Sequence, residues 1–306
     1  MPEELSLTAI VPATDRPPTL ERCLAALRAG SRTPDEVIVV TEPAGAGPAA
    51  ARNDGAARAA ADVLVFVDAD VVVAPNALAR IAEAFTRDPG LAAIFGAYDD
   101  APEAPGAVSG FRNLLHHHVH VAGEGQIASF WAGLGAIRRE AFQAGGGFDA
   151  ERYPAPSIED VELGARLTAS GARIVLDPAI RGKHLKRWTI GSMVRTDFGR
   201  RGVPWVELVA RSKAPPTALN LGWRHRLSAG LALAAVLALA ARRPRVAAGA
   251  VAVFAALNGE LYALVARRRG PVQALAAVPL HLLHHLTSVA ALAAGLARSA
   301  GPADGK

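Results

Sequence analysis

Two carboxylates one residue apart, Asp68 and Asp70, close the apolar run Val63-Leu-Val-Phe-Val67. A continuous apolar stretch of this length fits a fully covered strand of a parallel sheet, and open α/β sheets bind ligands outside the carboxyl ends of such strands. Acids at this spacing can face one side of the chain and concentrate negative charge. A hard, oxygen-liganded ion such as Mg²⁺ or Mn²⁺ would neutralise it. Acids that merely end a strand at a polar turn have the same pattern. A second acidic pair, Glu159-Asp160, lies in Pro156-Ser-Ile-Glu-Asp-Val-Glu-Leu-Gly-Ala-Arg-Leu167, which opens a helix. Ser157 and Asp160 form a capping-box pattern there, and the macrodipole favours acids in a first turn, so by themselves these acids read first as structural.

Two further clusters could do chemistry. The run His116-His-His-Val-His120 holds four histidines, but adjacent imidazoles cannot all face one ion and no Cys accompanies them. A polar helix face near an acceptor pocket is the better reading than a zinc site. The stretch Lys183-His-Leu-Lys-Arg-Trp188 sets four cationic or potentially cationic side chains beside an indole. That combination suits a diphosphate and a stacked ring, and it also suits a solvated basic loop.

The elements that must position these groups follow in order. A strand over 6–11 broken by Pro12, a helix over about 19–29, a strand over 35–40, a helix over about 49–60 and the 62–67 strand alternate as β-α-β-α-β. That order argues for a parallel sheet with right-handed crossovers. Pro75 suits the first turn of a further helix ending near Asp88-Pro-Gly90, and 91–98 supplies a fourth strand. Residues 99–125 read as less regular. A Gly-rich strand over 129–137, a short helix over 138–144, the acidic helix to about 170 and a strand over 173–177 complete the set. Neither GxGxxG nor GxxxxGK[ST] occurs, which argues against a dinucleotide or P-loop enzyme.

Composition narrows the class. The 306 residues carry 33 Lys+Arg against 28 Asp+Glu, a net charge of +5, with the basic excess concentrated after residue 180. Phosphates or an anionic membrane surface are the partners such charge suits. The basic residues are not interleaved with an aromatic platform, so no nucleic acid is expected as a partner. Cys23, the single cysteine, lies in the apolar helical pattern Leu20, Cys23, Leu24, Leu27 and reads as core. The acidic start Met-Pro-Glu-Glu runs directly into a strand, so no signal peptide is expected and the catalytic part should face the cytosol.

Taken in sequence, these pieces resemble a family 2 glycosyltransferase over about residues 5–190. The matching pieces are Ile10-Val-Pro12 with Arg16 and Leu20-Glu-Arg-Cys-Leu24, then Asp35-Glu-Val-Ile-Val-Val40, Ala51-Arg-Asn53 and the DxD Asp68-Ala-Asp70. Phe130-Trp-Ala-Gly-Leu-Gly-Ala-Ile-Arg-Arg with Gly146-Gly-Phe-Asp149 matches the acceptor-side block, and Glu159-Asp160 with Leu163, Arg166 and Leu167 matches the ED helix. The resemblance implies an α/β chain of GT-A fold, a Rossmann-like nucleotide-diphospho-sugar transferase with a mostly parallel central sheet. It implies sugar transfer from a nucleotide-diphosphate donor, usually inverting, with a divalent metal, Mg²⁺ or Mn²⁺. Asp160 would be the general base and Glu159 its positioner. Pro12, Ala13, Glu42, Arg52, Asp68, Asp70 and Arg187 would bind the nucleotide-sugar. Trp131, Gly133 and Trp188 would lie on the acceptor side, and Asp70 with His184 would hold the metal. Two departures stand out. Thr41-Glu42-Pro43 replaces the usual acidic pair with a Gly-Ser tail, which opens the identity of the base. His184-Leu-Lys-Arg-Trp188 looks like the QxxRW motif of processive members with His for Gln, which weakens a processive reading.

Beyond the catalytic part (1–188), residues 189–225 place Ile190, Met193, Val194 and Phe198 at helical spacing with Arg195, Arg200 and Arg201 on other faces, interrupted by Pro204-Trp205. This is the pattern of a basic amphipathic segment on a membrane surface, or of a helix packed on its own domain. Three apolar blocks, 227–241, 246–266 and 272–297, fill 226–298 before a 299–306 tail; the second and third are long enough to span a bilayer and the first is short. Two or three membrane segments are expected, with Asn258, Glu260, His281, His284 and His285 facing one another or a headgroup cavity. The sequence thus reads as a glycosyltransferase in the inner (plasma) membrane, active on the cytoplasmic side, with membrane lipid as a partner. It would be non-processive and pass sugar to an acceptor hydroxyl or lipid phosphate, on a lipid-linked or glycan acceptor. A processive polysaccharide synthase and a non-catalytic membrane scaffold of the same fold are the alternatives. A synthase needs a pore of more spanning helices, and the four acids Asp68, Asp70, Glu159 and Asp160 together speak against a scaffold.

Overall fold

The structure, a computed structural model, describes residues 5–211 and 222–300. The chain divides into two compact units, Met1–Glu103 with His116–Lys186 and Ala104–Leu115 with Arg187–Lys306. Residues 104–115 and Arg187-Trp188 therefore belong with the carboxyl-terminal part rather than with the catalytic unit.

The first unit opens with β1 (Leu7–Pro12), α1 (Leu20–Ala29), β2 (Glu36–Val40), α2 (Pro48–Arg58) and β3 (Val63–Val67), the expected alternation. Then come β4 (Val71–Val73), α3 (Ala77–Arg87), β5 (Leu91–Tyr98), α4 (Ala107–Ala122), β6 (Gly125–Gln126), β7 (Leu134–Arg138), α5 (Arg139–Ala144), α6 (Glu159–Ala169) and β8 (Arg173–His184). The strands form one sheet in the order β2-β1-β3-β7-β5-β8-β4, with β6 paired to β8. β1 pairs β2 and β3 in parallel, and β5 pairs β8 in parallel. The expectation of a mostly parallel sheet is corrected for the rest, because β7 runs antiparallel between β3 and β5, and β4 and β6 run antiparallel to β8. An apolar run has the same composition whichever way its neighbour points, so strand direction is invisible in periodicity.

All five residues of β3 are buried, and Phe66 at its centre meets the rings of Phe148 at 5.2 Å, Phe142 at 5.5 Å and Phe130 at 6.5 Å. Full burial of one such side chain contributes roughly 1.5–3 kcal/mol, so this aromatic knot anchors the strand that ends at Asp68. Four elements differ from expectation. α4 crosses the stretch that looked irregular, its Phe111, Leu114 and Leu115 buried at helical spacing that the flanking Pro, Gly and His residues obscure. α3 begins after Pro75, with Asn76 as its N-cap. β7 is shorter at its start than the 129–137 reading, whereas β8 runs on to His184 through two irregularities of register against β5.

The second unit is helical, with α7 (Ile190–Arg195), a π-helical stretch Thr196–Gly202, α8 (Val203–Arg211), α9 (Trp223–Ala240), α10 (Pro244–Leu257), α11 (Gly259–Arg269) and α12 (Pro271–Ala300). Thr189 and Ser192 cap α7 reciprocally. Pro204-Trp205 does not interrupt the segment; Pro204 falls in the first turn of α8, where it withholds no needed donor. Among the described residues α12 alone is a helix long and apolar enough to span a bilayer, and α10 with α11 pass together only as a pair bent by 70°. The 227–241 block, in α9, does not reach that standard, so among the described residues one helix, or two candidates if the bent pair counts as one span, meets it by length and composition. Residues 212–221 of the juxtamembrane reading and 301–306 of the tail lie outside the described residues.

The polar residues of these helices meet one another. Asn258 bonds Ser228 at 3.0 Å, Tyr262 bonds His281 at 3.0 Å, and His281 faces His285 at 3.1 Å. His284 and Arg112 both hold the Asp197 carboxylate, at 2.8 and 3.0 Å. Glu260 is exposed, 3.4 Å from Arg224.

Candidate active site

The turn after β3 presents both acids of the DxD. Asp68 accepts the Val71 N–H on its carbonyl and donates its own N–H to the Gly133 carbonyl, which ties the turn to the acceptor-side block. A Cβ at Gly133 would overlap the Trp131 indole, so only glycine lets this backbone lie so close. β4 leaves the turn directly and pairs Val71 with His184, while the Leu185 N–H bonds the Asp70 carbonyl. That register sets His184 Nε2 3.4 Å from the Asp70 carboxylate. The long β8, unsuspected in the sequence, thus does the positioning.

Arg52, on α2 and only 4% exposed, joins the two acidic motifs. Its Nη2 donates to Asp68 at 2.7 Å and its Nη1 to Glu159 at 2.9 Å, with the guanidinium 5.5 Å from the Phe148 ring. Burial works against its charge, but the carboxylates of Asp68, Glu159 and Asp160 more than reverse this and push its pKa upward. Its Nε is buried without a hydrogen-bond partner. Arg52, which the resemblance places on the donor, is the shared counter-charge of Asp68 and Glu159.

The two acids of the DxD differ. Burial, together with the charges of Asp70 and Glu159, raises the Asp68 carboxyl above its usual range despite Arg52. For Asp70 burial is outweighed by the hydrogen bond and charge of His184 and by Lys186, which hold its carboxyl below that range. Asp70 is therefore the readier anion for a cation. Among the described residues no group of three or more His, Cys, Asp or Glu side chains converges on one point. A carboxylate and an imidazole fit a divalent ion that takes its remaining ligands from phosphate oxygens and water, as Mg²⁺ does in phosphoryl sites.

α6 delivers the second acidic pair. Its N-cap is Ile158, which makes no side-chain cap, so the Ser157–Asp160 capping box is corrected. Instead Glu159 accepts the Ser157 N–H at 2.9 Å beside its Arg52 bond. Asp160 accepts the Val161 N–H at 2.8 Å and the Ala132 N–H at 3.1 Å. Gly164, one turn on, lets the helix lie against the backbone of Ser129 and Phe130; a Cβ there would collide with it. Glu159 is buried and saturated, whereas Asp160 is partly exposed in the first turn, where backbone N–H groups favour an anion.

The remaining predicted residues disperse. Pro12 ends β1, and buried Ala13 bonds Val40. Glu42 is exposed, 2.6 Å from Arg16 and 2.9 Å from the Ala44 N–H, so a cation covers the position where the acidic pair is missing. Trp131 is buried rather than offered to solvent, packed by Tyr98, His116 and His120. Arg187 is exposed, and Trp188 lies against Arg112 at 5.0 Å and bonds Ser109, all within the second unit. Sequence reasoning missed Tyr98, whose ring stacks on His184 at 4.2 Å; its place at a strand end was the available signal.

Residues 33–146 match the sequence family described as Glycosyl transferase family 2. None of the curated proteins matches the chain. Among solved structures, the mannosyltransferase PcManGT from Pyrobaculum calidifontis, in complex with GDP-Man and Mn²⁺, superimposes with a TM-score of 0.61 at 20% identity, over 96% of this chain and 88% of that one. GalNAc-T7 with UDP, GalNAc and Mn²⁺ gives 0.49 at 15% identity, over 76% of this chain and 51% of that one.

Proposed function

We propose that this chain, a family 2 glycosyltransferase of GT-A fold, moves a sugar from a nucleotide-diphosphate donor to an acceptor hydroxyl or lipid phosphate, with inversion and without processivity. The observation that carries the reading is Arg52, which bonds Asp68 and Glu159 at once. One buried cation thereby holds the donor-side and acceptor-side acids in a fixed relation, as a direct displacement requires.

In this reading Asp160 takes the acceptor proton. Its two backbone N–H bonds keep the carboxylate aimed, and Glu159, locked by Arg52 and Ser157, positions the turn that carries it. Asp70 and His184 would hold a divalent ion, Mg²⁺ or Mn²⁺, which when bound offsets charge on the leaving diphosphate. The Mn²⁺ and GDP-Man of the Pyrobaculum enzyme support both the ion and the donor class. Asp68 faces the ribose or the ion's outer shell, and Pro12, Ala13 and Glu42 line the base end. Gly133 and Trp131 shape the acceptor wall through backbone and packing.

The apolar α12 supports a membrane anchor. We place the enzyme at the inner membrane with its catalytic unit on the cytoplasmic side, where a lipid-linked acceptor is within reach. The test is thermal stabilisation of detergent-purified protein by a panel of nucleotide diphosphates and nucleotide sugars, with Mn²⁺ and with chelator. Metal-dependent stabilisation by one base is the expected outcome; no stabilisation by any nucleotide overturns the reading.

A further inference from the structure

The histidine run 116–120 forms part of a column of rings that ends on His184. Tyr98 lies 4.2 Å from His184 with the ring planes 8° apart. His116 lies 4.1 Å from Tyr98 at 33°, and His120 lies 3.8 Å from His116 at 29°. Trp131 flanks the column, edge-on to Tyr98 at 4.9 Å and to His120 at 5.4 Å, and 4.6 Å from His116. Offset-stacked and edge-to-face contacts of this kind favour one ring orientation over others.

The spacing of the run explains the column. His116 and His120 stand four residues apart on α4 and so share a face. His117 and His120 turn their Nδ1 atoms to the carbonyls of Tyr98 and Gly96, at 2.8 and 2.9 Å. This half of α4 is thereby pinned to the end of β5 that carries Tyr98. Three of the four histidines thus have packing or hydrogen-bonding work.

An imidazole that ligates a metal needs its ring orientation fixed from outside the coordination sphere. Here a flat stack resists rotation of His184 while its Nε2 faces Asp70 at 3.4 Å. We infer that Tyr98, backed by His116 and His120, is a positioning residue that aims His184 at the metal. The inference rests on the reading of Asp70 and His184 as the ion's protein ligands. Simple packing would make Tyr98 matter to stability alone, whereas positioning makes it matter to metal affinity.

The test titrates Mn²⁺ alone into the detergent-purified full chain and reads free Mn²⁺ by electron paramagnetic resonance. Tyr98→Leu should weaken Mn²⁺ binding about tenfold, within the range known for outer-shell partners, while Tyr98→Phe keeps the ring and stays within about twofold. His184→Ala should lose most of the affinity. A folded Tyr98→Leu that binds Mn²⁺ as the wild type does, with His184→Ala impaired, overturns the positioning role alone. An unimpaired His184→Ala overturns the metal reading and this inference with it. Should Tyr98→Leu fail to fold by circular dichroism, His116→Leu, one ring further out, decides the matter. About threefold weaker binding is then expected, and unchanged binding overturns the role.

Discussion

Asp160 and Arg52 divide the work at the residue scale. Asp160 is partly exposed and takes one backbone N–H on each carboxylate oxygen, so replacing it with Asn removes a proton acceptor while keeping the shape and one of the two bonds. Asp160→Asn should lower kcat by about 10²–10⁴-fold with donor affinity unchanged, as read by steady-state kinetics beside nucleotide-sugar binding. Wild-type turnover in that variant would end the base assignment. Arg52 is buried between Asp68 and Glu159. Arg52→Met strands two carboxylates and should destabilise the fold by about 3–5 kcal/mol, because one half of a buried ion pair left alone costs more than the pair contributes. Chemical denaturation measures this. Arg52→Lys should rescue it only in part, since an ammonium cannot reproduce the two-pronged fork.

At the scale of elements, the approach of α6 to the 129–130 backbone depends on Gly164. Glycine to alanine in a helix interior ordinarily stabilises by about 1 kcal/mol. Here Gly164→Ala should instead destabilise by about 1–3 kcal/mol, the usual cost of overpacking, and should lower kcat by tilting the turn that bears Asp160. A melt above wild-type temperature would contradict this. The entry to β3 is tied to β1 by Asp62, which accepts the Ser6 hydroxyl at 2.7 Å and N–H at 3.0 Å. Those bonds hold its carboxyl below the usual range, mainly through the Ser6 hydroxyl and then its N–H. A depressed folded pKa contributes stability that is present above the unfolded value, about 3.9, and is lost as pH falls through the folded one. Unfolding measured from pH 6 downward should therefore show an acid-side loss that Asp62→Asn makes smaller, the share of Asp35 and other depressed carboxyls remaining.

At the scale of the whole molecule, an α/β unit and a helical unit share a chain, and among the described residues one helix of the second unit is long and apolar enough to span a bilayer. Gly202 facing Ala291 and Gly295 facing Val206 bring the helices of the second unit into close backbone contact, a packing mode that suits apolar surroundings. The full chain should float with anionic liposomes and resist extraction at alkaline pH. Release by high salt alone would show a surface contact and remove the anchor from the reading.

Much was legible in the sequence because it is written locally. The β1–β3 alternation, the acids at the end of β3 and the acids opening α6 each follow from residue types within one element and its turn. What only the tertiary structure decided is written between segments far apart in the chain. β7 enters antiparallel between β3 and β5, and its apolar composition could not announce that direction. The pairing of His184 with Val71 brings its imidazole to the Asp70 carboxylate, a neighbour more than a hundred positions away that its own motif could not name. Arg52 meets Glu159 across 107 positions, and an arginine in an alanine-rich helix shows no such partner until the fold closes. The histidine run read as a metal puzzle because adjacent residues on a helix point apart; once α4 lies on β5, that divergence sends two rings into a stack and two nitrogens to carbonyls. Periodicity and spacing specify which face a side chain occupies, and only packing specifies what that face meets.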